Sequence, residues 1–212
     1  MKTTAIITAG GTSSRFGTGN KLLEKIYGKE VIKYTIEAFE KSDIDEIIIS
    51  ANKSIIPELS SMFNHKITEG GSTRQASVYN GLKAIEKSDF VLIHDGARPV
   101  ITPEIINRTI DLVKEKNAVS VVTKTIDTIK EVQDGKIIKT IDRSKLYNTQ
   151  TPQAFRYDII MSAHEKLQEQ NFTDDAGMLE ALGYDVYIVD GSYKNIKITT
   201  QSDIEIAKIF LK

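Results

Sequence analysis

Short β-branched and aliphatic runs recur along the chain at Thr4–Thr8, Glu46–Ser50, Phe90–His94, Ala118–Thr123 and Val186–Val189. Amphipathic segments lie between most of them, which is the βαβ alternation of a parallel sheet. In those segments the apolar residues fall near a 3.6-residue period: Val31, Ile32, Ile36 and Phe39; Val78, Leu82 and Ile85; Ile105, Ile106, Ile110 and Val113; Ile204, Ile206, Ile209 and Phe210. This spacing predicts helices whose apolar stripes are core faces. The expected fold class is therefore α/β, with a doubly wound, mostly parallel, Rossmann-like sheet.

One stretch breaks the alternation. Thr125–Asp142 reads as two strand-like runs, Ile126–Val132 and Lys136–Ile141, around Asp134-Gly135. Asp-Gly at the centre of two such runs is a strong type I′ hairpin signal, because both central residues of that turn need positive φ. An isolated two-stranded hairpin is marginal in water, so it either lies on the domain or embraces a second subunit. The second reading is preferred. With no linker, low-complexity tract or internal repeat in view, the expected organisation is one domain over 1–212 with an inserted arm at about 125–155.

Composition narrows the chemistry. Among 212 residues there is no cysteine, which excludes a disulfide scaffold, a thiolate nucleophile, an iron–sulfur cluster and Cys-bearing zinc sites. The three histidines, His65, His94 and His164, lack metal-site spacing, so any metal is expected to be hard and oxygen-bound, such as Mg²⁺. A net charge of −1 argues against a nucleic-acid binder that relies on neutralising phosphates, and favours a small-molecule partner. Met1–Thr8 is too short for a signal h-region and no later run approaches the roughly 18 apolar residues of a membrane span, so a cytoplasmic location is expected.

Three loops follow predicted strands or open predicted helices; the first two carry anion-binding chemistry and the third a carboxylate beside a cation. Ala9-Gly10-Gly11 through Arg15 to Lys21 combines small residues, which let backbone N–H groups approach a phosphate, with a bidentate and a point cation. It matches neither GxxxxGK[ST] nor GxGxxG, and glycine content alone would equally describe a surface loop. Gly70-Gly71-Ser72-Thr73-Arg74 opens a helix that continues through Ser77; a simple N-cap by Ser72 with a solvated Arg74 is the blander reading. His94-Asp95-Gly96-Ala97-Arg98 ends an apolar strand, where Asp95 can hold a divalent metal or a ribose hydroxyl, or simply pair with Arg98. His94 is set aside as a structural side chain.

Three further segments gain interest from this company: Asp142-Arg143-Ser144 with Thr149–Gln153, Thr173-Asp174-Asp175, and Asn195–Thr200 around Lys197. Taken alone they fit a solvated turn, a helix cap and an edge-strand gatekeeper.

In this order, the six segments resemble the cytidylyltransferase group of nucleotidyltransferases, and within it the 2-C-methyl-D-erythritol 4-phosphate cytidylyltransferase family. The resemblance runs from Ala9 to the NIKIT segment at 195–199. It implies a triphosphate loop at Ala9, Gly10 and Gly11 with Arg15 and Lys21 as catalytic cations, and cytidine contacts from Gly71, Arg74 and Ser77. Asp95 would meet Mg²⁺ and ribose, Arg98 the sugar phosphate, and Thr173 and Lys197 further substrate or α-phosphate oxygens, with Lys197 also catalytic. The segment from Arg143 to Phe155 resembles the family's arm, which pairs two subunits and lends Arg143 and Thr151 to the neighbour's site, so a homodimer is expected.

The implied reaction joins CTP and a polyol phosphate, with methylerythritol phosphate preferred over ribitol 5-phosphate as acceptor. A non-catalytic nucleotide-binding module and a UTP- or GTP-dependent sugar-nucleotide pyrophosphorylase are the rival readings.

Overall fold

The computed structural model describes residues 1–11, 16–17 and 19–212. In chain order its elements are β1 (Thr3–Ala9), β2 (Lys25–Ile26), β3 (Lys29–Glu30), α1 (Val31–Glu40), β4 (Glu46–Ala51), α2 (Ile56–Met62), β5 (Lys66–Glu69), α3 (Arg74–Lys83), β6 (Phe90–Asp95), α4 (Pro103–Lys116), β7 (Ala118–Lys124), β8 (Ile129–Gln133), β9 (Lys136–Ile141), β10 (Tyr147–Arg156), α5 (Tyr157–Lys166), α6 (Asp175–Ala181), β11 (Tyr187–Asp190) and α7 (Gln201–Phe210). Seven strands form one sheet in the order β11-β7-β10-β6-β1-β4-β5. Neighbours run parallel except where β10 lies antiparallel between β6 and β7.

Alternation along the strands sorts the core into two layers. Ala5, Ile7, Ile47, Ile49 and Leu92 face α1, α2, α4 and α7, while Ile6, Ile48, Val91 and Ile93 face α3, α5 and α6. Successive strand side chains point to opposite faces, so aliphatic runs with no polar alternation are what a sheet covered on both sides requires. Gly81 lets α3 approach β1: a Cβ there would come within 2.7 Å of Ile6 Cγ2. No helix among the described residues is long and apolar enough to cross a membrane.

The predicted hairpin forms as β8 and β9. Asp134 and Gly135 both have positive φ, 50° and 76°, and Gln133 pairs directly with Lys136, the geometry of a two-residue primed turn. Every residue of β8 is exposed, and so is every residue of β9 except Ile141. The projecting part is shorter than the expected 125–155, because 147–156 turns back into the sheet as β10, with Gln150–Phe155 buried. Its polar residues hid this strand.

The α7 stripe also needs correction: Ile204 and Ala207 are buried, but Ile206 and Ile209 are 42% and 68% exposed. Strand β5 and helices α2, α5 and α6 were not predicted, each being short or rich in polar residues.

Candidate active site

Chain order departs from β1 through β4 and β5 on one side, then returns to place β6 on the other side of β1. This reversal opens a crevice beyond the carboxyl ends of β1 and β6, the usual ligand position in such sheets. Thr8 and Asp95 are register partners at that edge. Beyond them lies a cavity of about 280 Å³, whose lining includes Ala9, Gly10, Gly11, Lys21, Ser77 and Asp95.

The N-terminus of α3 points its free amides and positive end into this first lobe, with Ser72, Thr73 and Arg74 on the wall. Thr73, rather than Ser72, is the N-cap, accepting from the Ala76 N–H. Ser77 is buried beneath the loop, where its hydroxyl accepts from the Gly71 N–H at 3.1 Å and donates to Thr73 O at 2.8 Å. Gly71 is required there, since a Cβ would press on the Ala76 backbone carbon at 2.9 Å.

Asp95 is 6% exposed and sits among three cations. Lys197 Nζ lies 2.9 Å from Oδ2, Arg98 Nε 3.4 Å from Oδ2 and Arg74 Nε 3.8 Å from Oδ1. Burial pushes the Asp95 carboxyl up, but Lys197, Arg74 and Arg98 outweigh it and hold the group well below the ordinary carboxylate range. Arg98 is fixed by Nη1 donating to Asn195 O at 2.8 Å, and the Lys197 segment is tied to the β6 loop by Ile198 N–H donating to Ala97 O at 2.8 Å. His94 is fully buried behind Asp95, with its Nδ1 3.1 Å from the Thr151 hydroxyl. Burial lowers its pKa to about 3, which leaves it neutral and a weak base, and it is fully buried and lines neither lobe, so it is not placed to take a proton from a ligand.

A second lobe of about 230 Å³ opens on the other side of this cluster, lined by Arg98, Thr149, Thr151, Gln153, Thr173 and Asp174 among others. Here the β10 register slips between Thr149 and Gln153, a bulge that turns polar side chains toward the crevice. Gln153 is fully buried; its Nε2 donates to Asp174 Oδ2 at 2.7 Å, and its Oε1 accepts from Asp175 N at 3.0 Å. Arg74, Asp95 and Lys197 line both lobes. Two polar lobes joined by a cationic wall suit group transfer between two phosphorylated molecules.

A family model described as "IspD: 2-C-methyl-D-erythritol 4-phosphate cytidylyltransferase" matches residues 3–212. The chain belongs to this family. A 2-C-methyl-D-erythritol 4-phosphate cytidylyltransferase of Clostridioides difficile (strain 630) is 43% identical over 219 residues, covering 97% of this chain and 92% of that protein. The crystal structure of 4-diphosphocytidyl-2C-methyl-D-erythritol synthase from Anaerococcus prevotii DSM 20548 superposes with a TM-score of 0.87 at 35% identity, covering 99% of this chain and 98% of that one. The 2-C-methyl-D-erythritol 4-phosphate cytidylyltransferase of Thermus thermophilus gives 0.86 at 27% identity, covering 100% of this chain and 99% of that one.

In this cytidylyltransferase-family chain the fold gathers most of the residues singled out in the sequence. Ala9, Gly10, Gly11, Lys21, Arg74, Ser77, Asp95 and Lys197 line the first lobe, and Arg98, Thr151 and Thr173 the second. Gly71 shapes the loop from behind. Arg15 lies outside the described residues. Arg143 is exposed in a short 3₁₀ turn, Arg143–Lys145, outside the lining of both lobes.

Thr151 departs from expectation: it is not available to a neighbour, because it is buried under its own chain's Asp95, whose backbone N–H donates to its hydroxyl at 3.1 Å. Asp175, Gln153 and Asn195 lie in segments that the sequence singles out but receive no role from it, because they are buried polar groups whose partners lie far away along the chain. Asp174 does cap α6, accepting from Gly177 N–H at 3.1 Å, and it also faces the second lobe.

Among the described residues no cluster of three or more His, Cys, Asp or Glu is placed to hold a metal ion. Asp95 is the carboxylate among the lining residues of the first lobe and a hard oxygen donor of the kind magnesium takes, with its oxygens facing Lys197, Arg98 and Arg74.

Proposed function

We propose that this chain transfers CMP from CTP to 2-C-methyl-D-erythritol 4-phosphate, with the nucleotide in the first lobe and the acceptor in the second. The observation that carries this reading is the wall shared by the two lobes, where Asp95, Arg74 and Lys197 meet. A phosphate oxygen of the acceptor attacks the α-phosphorus, a new P–O bond forms, the bond to the β-phosphate bridging oxygen breaks, and pyrophosphate leaves. A phosphate monoester is largely dianionic at pH 7, so no side chain need remove a proton. His94, fully buried and lining neither lobe, agrees with that.

Lys197 and Lys21 place positive charge where it matches charge growing on the transferring phosphoryl group, and the sequence adds Arg15 on the same first loop. Arg98 and Thr173 orient the acceptor. Mg²⁺, held by Asp95 together with nucleotide phosphate oxygens, would neutralise phosphate charge. Both substrates are water-soluble polyanions, and the reaction is assigned to the cytoplasm.

Pyrophosphate release from CTP and Mg²⁺, measured in parallel with methylerythritol 4-phosphate and ribitol 5-phosphate, tests the assignment. Release with the first alone is expected. Release only with the second would move the acceptor to ribitol phosphate, and silence with both would leave the fold without this activity.

The hairpin supports a homodimer. Val132 and Ile137 are cross-strand partners, 56% and 64% exposed, on a two-stranded unit too small to be stable alone. Arg143, exposed and outside both lobes of its own chain, agrees with the family's arm lending it to a second copy. In sedimentation the wild type should run as a dimer and the Val132→Asp/Ile137→Asp variant as a monomer with reduced turnover. A fully active wild-type monomer would refute the arm's role.

A further inference from the structure

Arg74 stands between two carboxylates. Its Nη2 lies 2.8 Å from Asp175 Oδ2, while its Nε lies 3.8 Å from Asp95 Oδ1. The nearer partner is a residue to which the chemistry above gives no task. Asp175 is 1% exposed and is not among the residues lining either lobe. A buried carboxylate is costly unless it is paired and hydrogen-bonded, so its presence behind the site calls for a reason.

Its surroundings are built to hold it still. The Asp175 backbone N–H donates to the buried Gln153, and Oδ1 lies 3.2 Å from His164 Nε2. His164 is itself 1% exposed and stacks on Tyr79, with ring centroids 6.0 Å apart and an interplanar angle of 5°. Burial opposes the Asp175 charge, but Arg74 and His164 outweigh it and keep the carboxyl below its ordinary pKa. Arg74 likewise keeps its charge against burial because Asp175 and Asp95 flank it.

The pair therefore joins α3, whose N-terminus faces the first lobe, to α6, whose N-cap Asp174 lines the second lobe beside Thr173. Asp95, the other carboxylate within reach of Arg74, is already shared by Lys197 at 2.9 Å and Arg98 at 3.4 Å. Without Asp175, the anions left around Arg74 are Asp95 and Asp174; Asp174 already accepts from Gln153 at 2.7 Å, so Arg74 would draw toward Asp95 and compete there with Lys197. An arginine that collapses onto Asp95 has fewer N–H groups left for a ligand.

We propose that Asp175, backed by His164, is a positioning residue that holds the Arg74 guanidinium off Asp95, leaving its free N–H groups to face the ligands of both lobes. The link from Arg74 to CTP rests on the functional reading above; the anchoring itself does not.

Two measurements separate these. In the ligand-free protein, the ¹⁵N–¹H signal of Arg74 Nε should be sharp in the wild type and in Asp175→Glu, and broadened or shifted in Asp175→Asn. An Arg74 signal unchanged by Asp175→Asn overturns the proposal. CTP affinity is then measured calorimetrically for wild type, Arg74→Ala, Asp175→Asn and the double variant. Each single change is expected to weaken binding about ten-fold, the scale of one charge-assisted hydrogen bond.

If Asp175 acts through Arg74, the double variant binds no worse than Arg74→Ala; if Asp175 only supports the fold, the two losses multiply. A wild type that neither binds nor turns over CTP would sink the functional reading, and the Arg74 signal alone would then decide the anchoring. Should Asp175→Asn not fold, His164→Ala loosens the same carboxylate without removing its charge and is read in the same two ways, with smaller changes expected.

Discussion

Lys197→Ala is expected to lower turnover at saturating substrates by about 10²–10³-fold, the usual loss when one charge aimed at a transition state is removed from a preorganised site. Lys197 lines both lobes and its ammonium lies 2.9 Å from Asp95 Oδ2. Its side chain is 38% exposed, and when it shifts from Asp95 to a phosphate oxygen the buried carboxylate keeps Arg98 and Arg74 as partners. Arg98 differs, since Asn195 O holds its guanidinium in place.

The buried Asp95 keeps Arg98 and Arg74 beside it when Lys197 is removed, so the variant should lose some stability while its kcat falls far more. Lys197→Arg should recover little, because a planar fork does not occupy the position of a point charge. Steady-state pyrophosphate release checks this. A rise in KM with unchanged kcat would show that Lys197 only binds.

Asp95→Asn should cost both activity and stability. The carboxylate is buried among Arg74, Arg98 and Lys197, and breaking a buried pair by removing one partner typically costs about 3–5 kcal/mol. The pH dependence follows from the sign of the shift. The folded Asp95 pKa is depressed, so its stabilisation is complete above the unfolded carboxyl value of about 3.9 and is lost as pH falls through the folded value.

Urea unfolding of wild type and Asp95→Asn should therefore differ by a constant amount at neutral pH, with the gap narrowing as pH falls below about 4. A gap absent at pH 7, or unchanged into acid, would mean that the cations around Asp95 do not stabilise its charge.

How much of this was legible depends on where each signal lives. The β-branched runs around Ile6, Ile48, Leu92 and Val119 announced the parallel strands, because a strand buried on both faces has no polar positions to disguise it. Asp134-Gly135 announced its turn through the φ values that turn demands. Gly10, Gly71 and Asp95 were found because loop chemistry next to a strand end is local in sequence, and the likeness to a cytidylyltransferase family supplied their roles.

Strand β10 was not legible. Its Tyr147–Gln153 stretch reads as a polar turn around Pro152, yet Gln150, Thr151 and Gln153 are buried, hydrogen-bonded to Asn195, Asp95 and Asp174 respectively. A polar side chain can enter a core only when a distant partner meets it, and nothing near it along the chain records that partner. The same holds for Asp175, which as a sequence letter is one more acidic residue beside a cap; Arg74 makes it part of the site. In α7 the period was right and the outcome wrong for Ile206 and Ile209, since a helix at the rim of the core buries only the narrow part of its stripe that meets the sheet.

The sequence by itself determined the α/β class, the hairpin turn, the anion-binding loops and the family. Tertiary structure decided that β10 joins the sheet, that Thr151 serves its own chain's site, and that three cations converge on Asp95 between the lobes with Asp175 behind them. Those outcomes rest on long-range pairing of charges and buried polar groups, whose energies depend on distance in space and burial rather than on spacing along the chain.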